Sequence, residues 1–575
     1  MTDTANTTVK LASEHTMPWL KTYEKYGLPY QIELPDDNTT LIDIFERNFK
    51  KFGDNTAFIC MGASLSYREL DIKSRQFAVY LRSLGLKKGD SVALMMPNIL
   101  QYPVCMIGVL RAGLTLVNVN PLYTSGELAH QLEDSDAKVL VILENFAKTY
   151  QDINKKLVKH VVVCSMGELM SPIKGFIVNF AVRHIKKMVP AWHIDNHVTF
   201  KQAIDSASVD QYQRPTDVKG SDIAVLQYTG GTTGVAKGAM LTHANLIANL
   251  HQAMVYARSL FSEDDTQLHA MVALPLYHIF SFTACALLGM YQGFICVLIP
   301  NPRDLDGFVK ELDKYKPVFL PAVNTLFNGL AHHKGFRELD HSNLRMSLGG
   351  GMSILSSTAA EWRRVTGTEI LEGYGLSETS PVATLNPPQV GAYTGKIGIP
   401  MPLTDIKLLD DEGREVAIGE RGEISVKGPQ VMKGYWRRPD ATSEVMTDDG
   451  YFKTGDIGII DDQGFVKIVD RKKDMILVSG FNVYPNEIEE ALTRHPKVLE
   501  CGVIGVAHDK SGEAPKAYIV RKDSSLTEKE LLDYAKTVLT GYKRPKYIKF
   551  VDELPKSNVG KILRKEIRKL EEQNA

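Results

Sequence analysis

The fold is restricted most by a series of short, nearly continuous apolar runs set between longer helical stretches. They read VALMM (92–96), LTLVNV (114–119), KVLVIL (138–143), HVVVC (160–164), FICVLI (294–299) and PVFLPAV (317–323). Strands exposed on one face alternate apolar with polar residues, whereas strands covered on both faces do not. The spacing therefore predicts α/β layers built on mostly parallel, buried strands with helices between them. From about residue 400 the texture changes to short alternating strands and turns, DIKLLDDEG (405–413), RGEISVKGP (421–429) and GFVKIVD (464–470), which predicts a β-rich subdomain. A compact α+β unit follows from about residue 474, with amphipathic helices at NEIEEALTRH (486–495) and EKELLDYAKTVL (528–539). The boundary falls in the charged stretch DRKKD (470–474). The division expected is a large domain at 1–470, a linker at 471–473 and a small domain at 474–575.

Two segments raise the question of membranes. Ile279 to Pro300 is 22 residues without a charge, long enough to span a bilayer. Gly289 and Gly293 divide it into a helix-like piece and a strand, so it is expected to remain in the protein core. Ile173 to Met188 carries Phe176, Ile177, Phe180 and Ala181 at helical spacing beside Arg183, Lys186 and Lys187. Such a helix can lie on an anionic membrane surface, and it can equally be an ordinary packed surface helix. The first residues, MTDTANTTVKLASEHTMPWL, have no apolar core and do not read as a secretory signal. Six cysteines are scattered without a C-x-x-C pair, which points to a reducing, cytoplasmic compartment and away from a disulfide or metal framework. Net charge is −1 at pH 7, so no global field recruits nucleic acid. The last 35 residues hold ten Lys/Arg against five Asp/Glu, a local excess suited to a polyphosphate partner or to a solvated helix face. Oligomeric state is open, a homodimer included.

The chemistry concentrates in five stretches. YTGGTTGVAKG (228–238) follows a buried strand and combines Thr229, Thr232 and Thr233 with Gly230, Gly231, Gly234 and Lys237. It fails the P-loop pattern, because Lys237 is preceded by Ala236 rather than Gly and followed by Gly238 rather than Ser or Thr. A phosphate cradle of backbone N–H groups, hydroxyls and one ammonium remains. LPLYHIF (274–280) sets His278 among apolar residues. EGYGLSET (372–379) places Glu378 and hydroxyls at a Gly-rich turn, suited to Mg²⁺ or a ribose. YFKTGDIG (451–458) offers Asp456, whose carboxylate can accept two ribose hydroxyls. PKSNVGKILRKE (555–566) presents Lys561 on a loop before a helix.

In this order and spacing, from SYREL (66–70) to KILRKE, the stretches resemble the adenylate-forming superfamily of acyl-CoA synthetases, luciferases and adenylation domains. DGYFKTGDIGIIDDQGFVKIVDRKK (449–473), MMPNILQYPV (95–104), NVNPLYT (118–124) and DMILVSGFNVYPNEIE (474–489) are similar to its bacterial long-chain-fatty-acid–CoA ligase family. The resemblance implies that a fatty carboxylate attacks the α-phosphate of ATP, giving acyl-AMP and pyrophosphate, and that the CoA thiol then displaces AMP. It implies a mobile C-terminal domain, with Lys561 bridging carboxylate and phosphate and His278 flanking the carboxylate. The threonine–glycine loop would hold the outer phosphates. Gly349, Gly350, Gly351, Tyr374, Gly375 and Thr379 would line the nucleotide, and Asp456 and Arg471 would hold the ribose. Glu378 and Thr232 would ligate Mg²⁺, Lys473 would be the hinge and Gly480 would face CoA. Alternatives are a carrier-loading adenylation domain, an acyl-AMP ligase, an aryl- or medium-chain CoA ligase, and an inactive fatty-acid- or membrane-binding relative.

Overall fold

A computed structural model describes residues 16–153, 156–229, 236–479, 481–509, 511–557 and 560–573. The apolar runs become strands as expected. Among the described residues, one seven-stranded sheet runs, edge to edge, through Val198–Thr199, His160–Cys164, Ala137–Leu143, Ser91–Met95, Thr115–Val119, Ile223–Thr229 and Lys237–Thr242. Only its last pair is antiparallel. A nine-stranded sheet has parallel central strands, including His269–Val272, Ile295–Leu298, Phe319–Ala322, Met346–Gly349 and Ile370–Gly375, and antiparallel edges. Strands such as Ser91–Met95 and Thr115–Val119 are buried along their whole length, which is why their sequences do not alternate.

The β-rich part is a four-stranded antiparallel sheet of Asp405–Leu409, Arg421–Lys427, Phe452–Ile460 and Val466–Arg471. A short turn, Lys472–Asp474, leads into the C-terminal unit. That unit has its own five-stranded sheet, crossed by helices Pro485–Thr493, Glu528–Val538 and Arg564–Glu572. Its apolar core, including Ile476, Val483, Ile488, Leu492 and Leu531, is separate from the cores of the larger part. Contacts between the two parts include polar pairs such as Ser356 Oγ to Glu490 Oε1 at 3.1 Å.

The uncharged stretch after Ile279 forms a continuous helix to Gln292, with a wider π turn at Phe282–Leu287, and then the strand Ile295–Leu298. It is packed inside, and no described helix is long and apolar enough to cross a membrane. The second stretch packs on the body by one face and leaves the other exposed. Pro172–Phe180 continues as a π turn over Ala181–Ile185, and it meets the body through Gly175 and Val182. A β-carbon at Gly175 would lie 2.4 Å from the Gly167 carbonyl oxygen, so glycine permits this close approach. The opposite face, with Ile173 at 77% and Phe176 at 72% exposure, stands in solvent.

Candidate active site

One cavity of about 2010 Å³ lies between the large part and the C-terminal unit. The strands Ile223–Thr229 and Lys237–Thr242 pair antiparallel, so Thr229 and Lys237 face each other where the loop leaves the sheet, and both line the cavity. The Lys237 ammonium lies 5.2 Å from the centre of the Tyr435 ring. Gly230, Gly231, Thr232, Thr233 and Gly234 lie outside the described residues, as does Gly480.

The far wall comes from two neighbouring parallel strands. Met346–Gly349 leads into Gly350 and Gly351, and Ile370–Gly375 runs into the turn bearing Glu378. A β-carbon at Gly375 would sit 1.9 Å from the Pro381 carbonyl oxygen, which excludes any side chain there. Tyr435 donates to Glu378 Oε1 at 2.7 Å, and burial raises the pKa of this carboxyl. Thr379 does not line the cavity. It is buried, its hydroxyl donates to the Pro381 carbonyl, and its Oγ1 accepts the Leu376 N–H at 2.9 Å. That side chain shapes the turn.

Asp456 and Arg471 are opposite each other in the antiparallel pair Phe452–Ile460 and Val466–Arg471. Arg471 Nε lies 3.2 Å from Asp456 Oδ1, while Tyr374 donates to Asp456 Oδ2 at 2.7 Å. The carboxylate is thereby oriented from both sides at the cavity wall.

Lys561 enters from the C-terminal unit. Its loop is bonded to itself, with the Ser557 N–H reaching the Lys561 carbonyl at 2.7 Å, and to the large part, with Thr325 Oγ1 donating to the Gly560 carbonyl at 3.4 Å. Gly560 has φ +80° and a β-carbon there would be 2.5 Å from Thr325 Oγ1, so glycine is required for this approach. Burial first, and then the charge of Arg471, lower the Lys561 pKa to about 8. Burial and the Lys561 charge push His278 down to about 4, so at neutral pH it is uncharged. Its Nδ1 accepts the Phe280 N–H at 3.3 Å, which leaves the proton to Nε2. Lys473 lines the same wall, and desolvation, then the Arg471 charge, lower its pKa to about 8.

Beyond His278 the cavity turns apolar. Ala253 and Ala257 of the helix His243–Ala257 face it, as do Thr283, Ala284 and Leu288 of the helix that follows Ile279. Thr242 starts the first of these helices, its hydroxyl accepting the Asn245 N–H at 3.1 Å. Sequence reasoning did not single out two participants. Tyr435, which holds Glu378, sits in an ordinary MKGYW stretch with no distinguishing signal. Glu372, in the quoted EGYGLSET, is buried in the cavity wall, accepts the Ile354 N–H at 3.0 Å and is raised to about 8 by burial.

Comparison with known proteins decides the family. The profile of the AMP-binding enzyme family matches residues 45–436, and that of the AMP-binding enzyme C-terminal domain matches residues 487–561. The chain belongs to the AMP-binding enzyme family. Within that family it is 52% identical to a long-chain-fatty-acid–CoA ligase of Yersinia pestis over 553 residues, covering 96% of this chain and 97% of the relative. It is 37% identical to the long-chain-fatty-acid–CoA ligase of Bacillus subtilis, covering 97% and 98%. Among solved structures it resembles ATP-bound MatB from Rhodopseudomonas palustris, with a TM-score of 0.80 and 30% identity over 92% of this chain and 99% of that one. The anthranilate-CoA ligase AuaEII with anthranoyl-AMP gives a TM-score of 0.83 at 25% identity, covering 94% and 98%. The fold of these AMP-binding enzymes is the mixed α/β architecture above, with a large N-terminal and a small C-terminal domain.

Proposed function

We propose that the protein is an AMP-forming long-chain-fatty-acid–CoA ligase. In the first half-reaction a carboxylate oxygen of the fatty acid attacks the α-phosphorus of ATP, the bond to the β-phosphate oxygen breaks and pyrophosphate leaves. In the second, the CoA sulfur attacks the acyl carbon, the bond to the phosphate oxygen breaks, AMP departs and the thiol proton is released. The observation that carries this reading is the convergence of a desolvated ammonium, an oriented carboxylate–arginine pair and an apolar recess in one cavity.

The first step brings anions together, so positioned positive charge is what the site has to supply. Lys561 would bridge the attacking carboxylate and the α-phosphate. Neutral His278 would donate from Nε2 beside the carboxylate without adding a counter-ion that immobilises it. Asp456, held by Arg471 and Tyr374, would accept the ribose hydroxyls. Gly349, Gly350 and Gly351 would admit the adenine against backbone, and Thr229 and Lys237 would carry the outer phosphates with the loop between them.

Among the described residues no three metal-ligating side chains cluster. A Mg²⁺ held by one carboxylate and the substrate's own phosphates fits this, and Glu378, steadied by Tyr435, is suited to it together with Thr232. When bound, the ion would neutralise charge on the departing pyrophosphate.

The two half-reactions need different groups at one centre. We place the division at 1–470 and 474–575, with rotation about Lys473 withdrawing Lys561 and bringing the Gly480 side to the acyl-AMP. The separate core of the C-terminal unit and its polar contacts with the large part favour such movement. We also assign the exposed Ile173–Met188 face, flanked by Lys174, Lys186 and Lys187, to an anionic membrane surface that supplies the fatty acid.

The test is CoA-thioester formation with Mg²⁺-ATP across saturated acids of four to eighteen carbons and benzoate. Each methylene buried in the recess contributes ~0.8 kcal/mol, so kcat/KM is expected to rise toward the longer acids. Equal or better turnover of benzoate would move the protein to the aryl-CoA ligases.

A further inference from the structure

The strand that ends at the hinge carries an aspartate that the mechanism above does not use. Asp470 is completely buried, and strand pairing with Ile457 fixes it in the four-stranded sheet. Its side chain nevertheless reaches the C-terminal unit. Oδ2 accepts the backbone N–H of Asn486 at 2.8 Å, in the first turn of the helix Pro485–Thr493. Oδ1 lies 3.2 Å from Nη1 of Arg564 and also accepts the Arg471 N–H at 2.7 Å.

Arg564 opens the last helix, three positions after Lys561. It also bonds groups of the C-terminal unit: Glu489 at 2.7 and 3.0 Å, Asp474 at 3.3 Å, and the Asn486 side chain. Those partners travel with Arg564 when the unit turns. Asp470 does not, because it precedes the hinge. Two charge-assisted contacts from one buried carboxylate therefore exist in the orientation seen here and must break on rotation about residues 471–473. They also grip the short segment that carries Lys561, since the Leu563 N–H bonds the Pro555 carbonyl at 2.8 Å and closes that loop against the start of the helix.

We propose that Asp470 is a latch: it holds the C-terminal domain in the acyl-AMP-forming arrangement, positions Lys561 through Arg564, and lets go before CoA reacts. This rests on the two-half-reaction reading above. Asp470 is a positioning residue that acts on Lys561 through Arg564. A buried carboxylate without partners is costly, so release requires Asp470 to become hydrated or to be re-paired, and the latched state is the resting one.

The experiment measures both half-reactions separately on the full chain. Acyl-AMP formation is followed in single turnover with Mg²⁺-ATP and palmitate, and thioester formation is followed from supplied palmitoyl-AMP and CoA. Asp470→Asn keeps the shape and one acceptor, whereas Asp470→Ala removes both contacts. Losing hydrogen bonds to a charged group predicts that acyl-AMP formation falls about ten- to hundredfold in Asp470→Ala and by less in Asp470→Asn. Thioester formation from supplied palmitoyl-AMP is expected to be unchanged or faster. Thermal melts establish that each variant is folded, and Asp470→Asn alone decides the matter if Asp470→Ala is not. Proportional loss of both half-reactions in a folded variant, or no change in either, overturns the latch. Failure of the unaltered protein to make any acyl-AMP would instead overturn the assignment of function.

Discussion

Lys561→Ala separates the two half-reactions most cleanly. The Lys561 ammonium is desolvated, and Arg471, Arg564 and Lys473 beside it outweigh the opposing charge of Asp456, so the position disfavours one more proton. Desolvation comes first and this positive charge second in holding the pKa near 8, and an incoming triphosphate and carboxylate relieve the second. Removing one such positioned donor costs on the order of a hundred- to thousandfold in rate, about 2.7–4 kcal/mol. Acyl-AMP formation is expected to fall by that factor, and thioester formation from supplied acyl-AMP to persist. The pH dependence supplies a second reading with a definite sign. The charged form is needed, and a lysine with pKa about 8 is about nine-tenths protonated at pH 7 and about one-tenth at pH 9. For acyl-AMP formation kcat/KM, which reports the free enzyme, should therefore drop about tenfold over that interval. The limb in kcat should lie higher, because bound phosphates favour the ammonium. Lys561→Arg should abolish the alkaline limb. Quenched-flow measurement of acyl-AMP checks all of this. Equal loss of both half-reactions in folded Lys561→Ala, or an unchanged limb in Lys561→Arg, would refute the reasoning.

Other outcomes are as specific. Lys473→Pro, which fixes φ near −65° and resists rotation at the hinge, should accumulate acyl-AMP and yield little acyl-CoA. Both products falling together would count against the hinge. Ala257→Phe, on the apolar wall of the cavity, should lower kcat/KM for a sixteen-carbon acid about tenfold, the equivalent of roughly two lost methylenes, while an eight-carbon acid changes little. Cosedimentation with vesicles containing anionic lipid should fall in a Lys186→Glu/Lys187→Glu double variant and in Phe176→Asp, and binding should weaken with salt. Undiminished binding by both would free that face from a membrane role.

What could be read from the sequence was what depends on local pattern. The continuous apolar runs specified buried parallel strands, and the C-terminal helices expected at 486–495 and 528–539 lie at Pro485–Thr493 and Glu528–Val538. From composition alone the loop after Thr229 is expected to cradle phosphate and the turn at Glu378 to suit Mg²⁺ or a ribose. What could not be read depends on register and direction. Asp456 and Arg471 are fifteen residues apart in sequence and meet only because the hairpin sets them opposite each other. Thr379 looked like a ligand donor, yet its hydroxyl turns inward to close the Gly375–Pro381 turn. Helical spacing identified an apolar face at Phe176 and Ile177 without telling whether the body or solvent receives it, because that depends on the contact at Gly175. The grip of Asp470 on Arg564 joins residues 94 positions apart, and neither stands out in its own segment.

In the proposed reaction the fatty carboxylate itself attacks the α-phosphate of ATP. Palmitate labelled with ¹⁸O in both carboxylate oxygens, turned over with Mg²⁺-ATP and CoA, tests it directly by mass spectrometry of the nucleotide product. Attack by the carboxylate leaves one ¹⁸O atom in AMP and the pyrophosphate unlabelled. Unlabelled AMP, or ADP in its place, would contradict it.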